Sequence, residues 1–229
     1  MKKLPILLAL ALPLAAGPAA SAPSLPSTAT QLAGLAPNIL SLALAASDRA
    51  VAEMPIAKPK LLTVIDYSRP STEPRLWVVD RATGKVLRKE LVAHGRGTGE
   101  NYATAFSNDE GSHQSSLGLF LTENTYVGSN GYSLRLRGLE PGVNDRASER
   151  AIVMHGAPYV SADFARQHGR LGRSWGCPAL SPAVAHEVID QIQGGSLLFA
   201  YYPDSRWLGT SRFLEAVRRG SQTVLNPGR

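Results

Sequence analysis

The sequence has a single cysteine, Cys177, in 229 residues. An intrachain disulfide is therefore excluded, and with it the class of small scaffolds stapled by disulfides. It also lacks an uninterrupted apolar run of the roughly 20 residues needed to cross a bilayer. The strongest apolar stretch opens the chain as "MKKLPILLALALPLAAGPAASA" and is broken by Pro5 and Pro13. No lysine-rich or arginine-rich block is present; the formal charge of +6 is spread along the chain. Nucleic-acid binding is not expected from such a distribution. A zinc-hydrolase run is missing too: "HEVID" from His186 has Asp190 where H-E-x-x-H needs its second histidine.

What the first residues do contain is two lysines, an apolar run and small residues ending in an A-x-A pattern at Ala20–Ala22. This is the pattern of a secretory signal peptide, expected over 1–22, with Pro23 leaving a cut nearer Ala19 or Ala20 open. No cysteine follows the apolar run to carry a lipid anchor. An exported chain with no membrane span after leader removal is expected, in the periplasm or cell envelope. The remainder, about 207 residues, suits one domain with a sizeable core.

Residues 23–59 read as a small-residue and proline-rich linker followed by one helix in "PNILSLALAASDRAVAEM". From residue 60 the pattern changes to short β-rich runs at 61–67, 75–80, 86–94, 117–127, 132–139, 151–156 and 196–203. "RATGK" marks a hairpin turn between the second and third. One helix is expected before the last run, with Ser181 as N-cap, Pro182 in its first turn and Gly194 and Gly195 at its end. Another is expected at 210–220. The fold class is mainly β with a few helices, a mostly antiparallel sheet or sandwich over 60–205, followed by a C-terminal helix and tail at 206–229.

A lone thiol in an oxidising compartment is either a buried small hydrophobe or a reactive group. Cys177 lies in "SWGCP", between glycine and proline and outside any hydrophobic run, which points to an accessible, reactive thiol. Its pKa near ~8.5 leaves it mostly protonated at neutral pH, so it needs a partner. His155 closes the strand "AIVM", and Gly156 behind it offers a carbonyl to orient the ring.

These residues carry a family resemblance. "HGAPYVSADFARQHGRLGRSWGCPAL" resembles the active-site segment of the murein L,D-transpeptidase catalytic-domain family, the YkuD-like fold. His155 and Gly156 open its signature, and Ser174, Gly176 and Cys177 close it. "SSLGLF" is similar to a further family strand, with Gly118 in register. The resemblance covers about 60–205 and implies an L,D-transpeptidase-like β-sandwich or sheet domain acting on peptidoglycan stem peptides without metal or other cofactor. It implies Cys177 as nucleophile, His155 as base, and backbone around Gly176, Gly156 and Ser174 as site or oxyanion groups. The reaction would be a 3→3 crosslink through a thioester. The alternatives are an L,D-carboxypeptidase or endopeptidase, and a catalytically silent wall-binding domain.

Two departures stand out. Where the family commonly has arginine two residues after the cysteine, this chain has Ala179, which leaves Arg173 or Arg170 to bind a substrate carboxylate. The spacer between His155 and Cys177 is also longer, adding "ARQHGRLG" as an extra lip. His113 and Ser116 either line the cleft or belong to a plain loop. Trp175 either walls the cleft or packs on the sheet. Ser174 is a turn residue or a hydrogen-bond partner in the site, and His168 is solvent-exposed.

Overall fold

A computed structural model of the chain describes residues 34–215 and 217. The expected leader and most of the linker lie outside the described residues, as does the end of the tail. Helix α1 (Pro37–Glu53) starts on a proline, whose missing N–H costs nothing in a first helical turn. It buries Ile39, Leu40, Ala43, Ala46, Ser47 and Ala50, a stripe at helical spacing that faces the sheet.

Strands β1 (Leu61–Asp66), β2 (Leu76–Asp80) and β3 (Val86–Glu90) form an antiparallel meander. Its tight turn is held by Asp80, whose Oδ1 accepts from the N–H groups of Ala82 and Thr83 and from the Thr83 hydroxyl. After Leu91 comes β4 (Val92–Ala93), then the long hairpin of β5 (Gly118–Gly128) and β6 (Gly131–Gly138), and β7 (Val153–Gly156). Helix α2 (Ala162–His168), β8 (Ala179–Leu180), helix α3 (Pro182–Ile192), β9 (Leu197–Tyr201) and helix α4 (Ser205–Thr210) complete the chain with a 3-10 turn at Arg212–Leu214.

The strand order is β3-β2-β1-β9-β5-β6-β7-β8-β4, with parallel pairs only at β1/β9 and β7/β8. β3 and β4 sit at the two ends of that order although only Leu91 separates them, so the sheet nearly closes on itself. The single strand expected at 86–94 is corrected accordingly. Its two halves pair with opposite edges, and the chain must bend at Leu91 to reach both.

Helix α3 buries Ala185, Val188, Ile189 and Ile192 and packs on β7. The last three are fully buried, and each such side chain contributes about 1.5–3 kcal/mol of burial. Ser181 stands at its N-cap, but its side chain makes no capping bond; Pro182 alone sets the start. Of the helix expected at 210–220, Thr210 ends α4, Arg212–Leu214 form a 3-10 turn, Glu215 and Val217 are helical, and residues 216 and 218–220 lie outside the described residues. Helix α2 was not anticipated: Ser161 Oγ accepts from Phe164 N–H at its start, and Gly169 takes a left-handed φ of 69° at its end.

Candidate active site

β7 and β8 run parallel, with His155 opposite Ala179 and Gly156 opposite Leu180. Two residues back along each chain lie Val153 and Cys177, and the Val153 N–H donates to Cys177 Sγ at 3.5 Å. His155 and Cys177 are thereby one diagonal step apart in register, Cys177 standing two residues before the strand partner of His155. Among the described residues the thiol's hydrogen-bond partners are Val153 N–H and, at 3.8 Å, the Ala151 carbonyl.

The thiol is less accessible than its loop position suggests: Cys177 is only 8% exposed. The loop folds inward because Ser174 Oγ accepts from Gly176 N–H at 3.1 Å and donates to the Cys177 carbonyl at 2.6 Å. Ser174 is thus both turn residue and hydrogen-bond partner. Gly176 takes a φ of 120°, and a Cβ there would lie 2.8 Å from the Gln114 carbonyl oxygen and 2.9 Å from Ile152. Only glycine fits this position on both counts. Ser115 Oγ adds a brace, accepting from Gly95 N–H and donating to the Gly176 carbonyl.

The His155 ring is buried and donates from Nδ1 to the Gly156 carbonyl at 2.9 Å. A carbonyl can only accept, so the proton sits on Nδ1 and the neutral ring keeps its Nε2 lone pair. Burial pulls this imidazole below its usual pKa, opposed by the Gly156 carbonyl. Burial pushes the Cys177 thiol up, opposed by the Val153 N–H and by the Arg150 guanidinium. Both effects favour the neutral thiol and the neutral imidazole over a resting ion pair.

Arg150 is a group that the sequence did not single out. It donates to the carbonyls of Ser107 and Gln114 and to the hydroxyls of Ser116 and Ser112, with one terminal nitrogen 3.4 Å from where a Cβ on Gly176 would lie. Its position just before Ala151, a non-glycine residue at φ 51°, carries no sequence signal. Tyr159 was also missed. Its ring fills the space a side chain at Gly172 would need, and its phenol is pushed up to about 12, first by burial and then by the Cys177 charge.

The remaining candidates separate into two groups. Ser116 is buried, bonding Arg150 and the Ser107 carbonyl, and serves the loop. Arg173 and Arg170 both pair with Glu100, at 2.5 and 2.8 Å. Ala179 is fully buried opposite Ala93 in a cluster with Ala157, Val160 and Leu171, where an arginine would have no room. Trp175, by contrast, is 69% exposed and stacks on His113 at 5.1 Å instead of packing on the sheet. No group of three or more metal-ligating side chains occurs among the described residues, and no described helix is long and apolar enough to cross a membrane.

Among protein families, the L,D-transpeptidase catalytic domain matches residues 31–201. No curated protein matches the chain. Among solved structures, an L,D-transpeptidase from Mycobacterium smegmatis is 16% identical with a TM-score of 0.40, over 62% of this chain and 59% of that one. An L,D-transpeptidase from Stackebrandtia nassauensis is 15% identical at 0.39, over 72% and 68%. The helical cell shape determining protein from Campylobacter jejuni is 12% identical at 0.42, over 72% and 57%. The chain therefore spans about three fifths of the mycobacterial protein's length. The family match takes in both strands of the site and the whole loop from His155 to Cys177, and on that match this chain belongs to the L,D-transpeptidase catalytic-domain family.

Proposed function

We propose that this chain is an exported cysteine peptidyltransferase that acts on peptidoglycan stem peptides and joins them through a thioester. The observation that carries the reading is the placing of Cys177 beside Val153, one diagonal step from His155, whose Nε2 is left unprotonated by the Nδ1 bond to Gly156. The catalytic pair begins neutral, so attack requires the thiol proton to pass to His155 Nε2 as sulfur bonds the peptide carbonyl carbon.

The oxyanion formed in that step needs a donor. Gly176 N–H is already given to Ser174 Oγ, whereas the Cys177 N–H has no acceptor among the described residues. Cys177 N–H is therefore the oxyanion donor, and removing one such donor typically costs roughly 10²–10³ in rate. The C–N bond then breaks, the imidazolium returns its proton to the leaving amine of D-alanine, and a thioester remains. An acceptor amine attacks the thioester, His155 takes its proton, and the thiol is released. Water in the acceptor's place would give L,D-carboxypeptidase products.

Mature protein and Cys177→Ala are incubated with disaccharide tetrapeptide and both products and intact protein are weighed by mass spectrometry. Loss of D-alanine with a transient protein adduct in the wild type alone is the expected result. The ratio of dimers to tripeptides assigns transfer or hydrolysis. Peptidoglycan binding that survives Cys177→Ala with no turnover in either protein would leave the wall-binding reading in its place.

A further inference from the structure

Position 179 is packed shut and Arg170 and Arg173 are held by Glu100, so none of the three offers a free cation to a substrate carboxylate. Arg96 does. It is exposed, has no acidic partner among the described residues, and lies with its guanidinium carbon 5.7 Å from the centre of the Trp175 ring. Its Nε–H donates to His113 Nδ1 at 3.1 Å, and His113 in turn stacks on Trp175 at 5.1 Å. Anchored through Nε and supported by the indole, the guanidinium keeps both terminal nitrogens free of protein acceptors among the described residues. That is the fork geometry for bidentate capture of a carboxylate.

The three side chains are also tied to the nucleophile. Arg96 N–H donates to the Ser174 carbonyl, the next residue is Trp175, and Ser174 Oγ bonds the Cys177 carbonyl. His113, which stacks on Trp175, adopts a φ of 53°, a conformation uncommon outside glycine and concentrated at functional sites. We propose that Arg96, seated on Trp175 and anchored by His113, is a carboxylate-binding subsite that takes the terminal carboxylate of the donor peptide. The inference rests on the stem-peptide reading for its ligand, since the leaving residue of such a donor carries a free carboxylate one residue beyond the attacked carbonyl.

Two measurements separate the subsite from that reading. In the first, Cys177 is alkylated by iodoacetate and by neutral iodoacetamide in wild type, Arg96→Gln and Arg96→Lys, followed by intact mass. The neutral reagent reports whether the thiol and its loop are intact in each variant. A severalfold drop in the iodoacetate to iodoacetamide rate ratio for Arg96→Gln, with Arg96→Lys retaining most of it, is expected; an unchanged ratio overturns the subsite.

In the second, tetrapeptide donors with a free or an amidated C-terminus are compared. Wild type should prefer the free acid in kcat/KM by about tenfold or more, the scale of a charged hydrogen bond, and Arg96→Gln should lose that preference. Turnover with the same acid preference in both proteins removes the subsite and leaves the stem-peptide reading standing. No turnover of either donor, with an iodoacetate ratio that still depends on Arg96, keeps the carboxylate subsite and removes the stem-peptide reading.

Discussion

The backbone N–H of Val153 points at Cys177 Sγ from 3.5 Å, two residues ahead of His155 on the same strand. One short parallel strand pair therefore carries the candidate base on one strand and brings the candidate nucleophile's loop to the other, two residues before the partner of His155.

His155 is pulled below its usual pKa by burial, so the acid limb of a kcat/KM against pH profile is expected below the ordinary value near ~6.5. His155→Gln should lower kcat by roughly 10²–10⁴ while leaving the unfolding midpoint close to wild type. An acid limb that stays in place in His155→Gln would assign it to another group.

Arg150 opposes the upward push of burial on the thiol. Arg150→Gln should raise the apparent pKa for Cys177 alkylation and slow the reaction at neutral pH by about tenfold, and Arg150→Lys should recover most of the loss. Because Arg150 also ties the 107–116 segment through four hydrogen bonds, reactivity is read as a full pH profile. A loss equal at all pH values would mean a purely structural role.

Gly176→Ala combines a strained φ with a Cβ lying 2.8 Å from a backbone oxygen. A loss of about 1–3 kcal/mol in urea unfolding is expected, together with loss of turnover. Wild-type stability in this variant would show that the loop tolerates another path.

His94 is buried, accepts at Nδ1 from Arg75 and donates from Nε2 to the Gly99 carbonyl, and its pKa is pulled down to about 4, first by burial and then by the Arg75 charge. The unfolded chain binds this proton near ~6.5 and the folded chain only near the lowered value. Stability should therefore fall as pH drops below the unfolded value and stop falling near the folded one, by about 3 kcal/mol in total. Urea unfolding of wild type and His94→Gln across that range tests this; parallel curves would remove His94 as the source.

The β-rich middle and the helix beginning at Pro182 were legible because each depends on local pattern, runs of β-formers between turn residues and a proline-led amphipathic stretch. The seven-residue helix α2 was missed although Ser161 and Gly169 bracket it, since it is too short and too exposed for apolar periodicity to reveal. The division at Leu91 could not be read at all, because what separates β3 from β4 is the closure of the sheet around them and no property of their residues.

By itself the sequence determined which residues are candidates for the chemistry: one thiol in a glycine-bounded loop and one histidine closing a strand, in the order of a family signature though with a longer spacer. Tertiary structure alone decided their state and their company. Burial pushes the thiol up and pulls the imidazole down, disfavouring the charged form of each, since desolvation depends on everything packed around them. Which arginines are free depends on a single acid, Glu100, that folding brings to Arg170 and Arg173 and not to Arg96. Charge pairing across 70 or more residues has no local signature, so only the fold could choose among them.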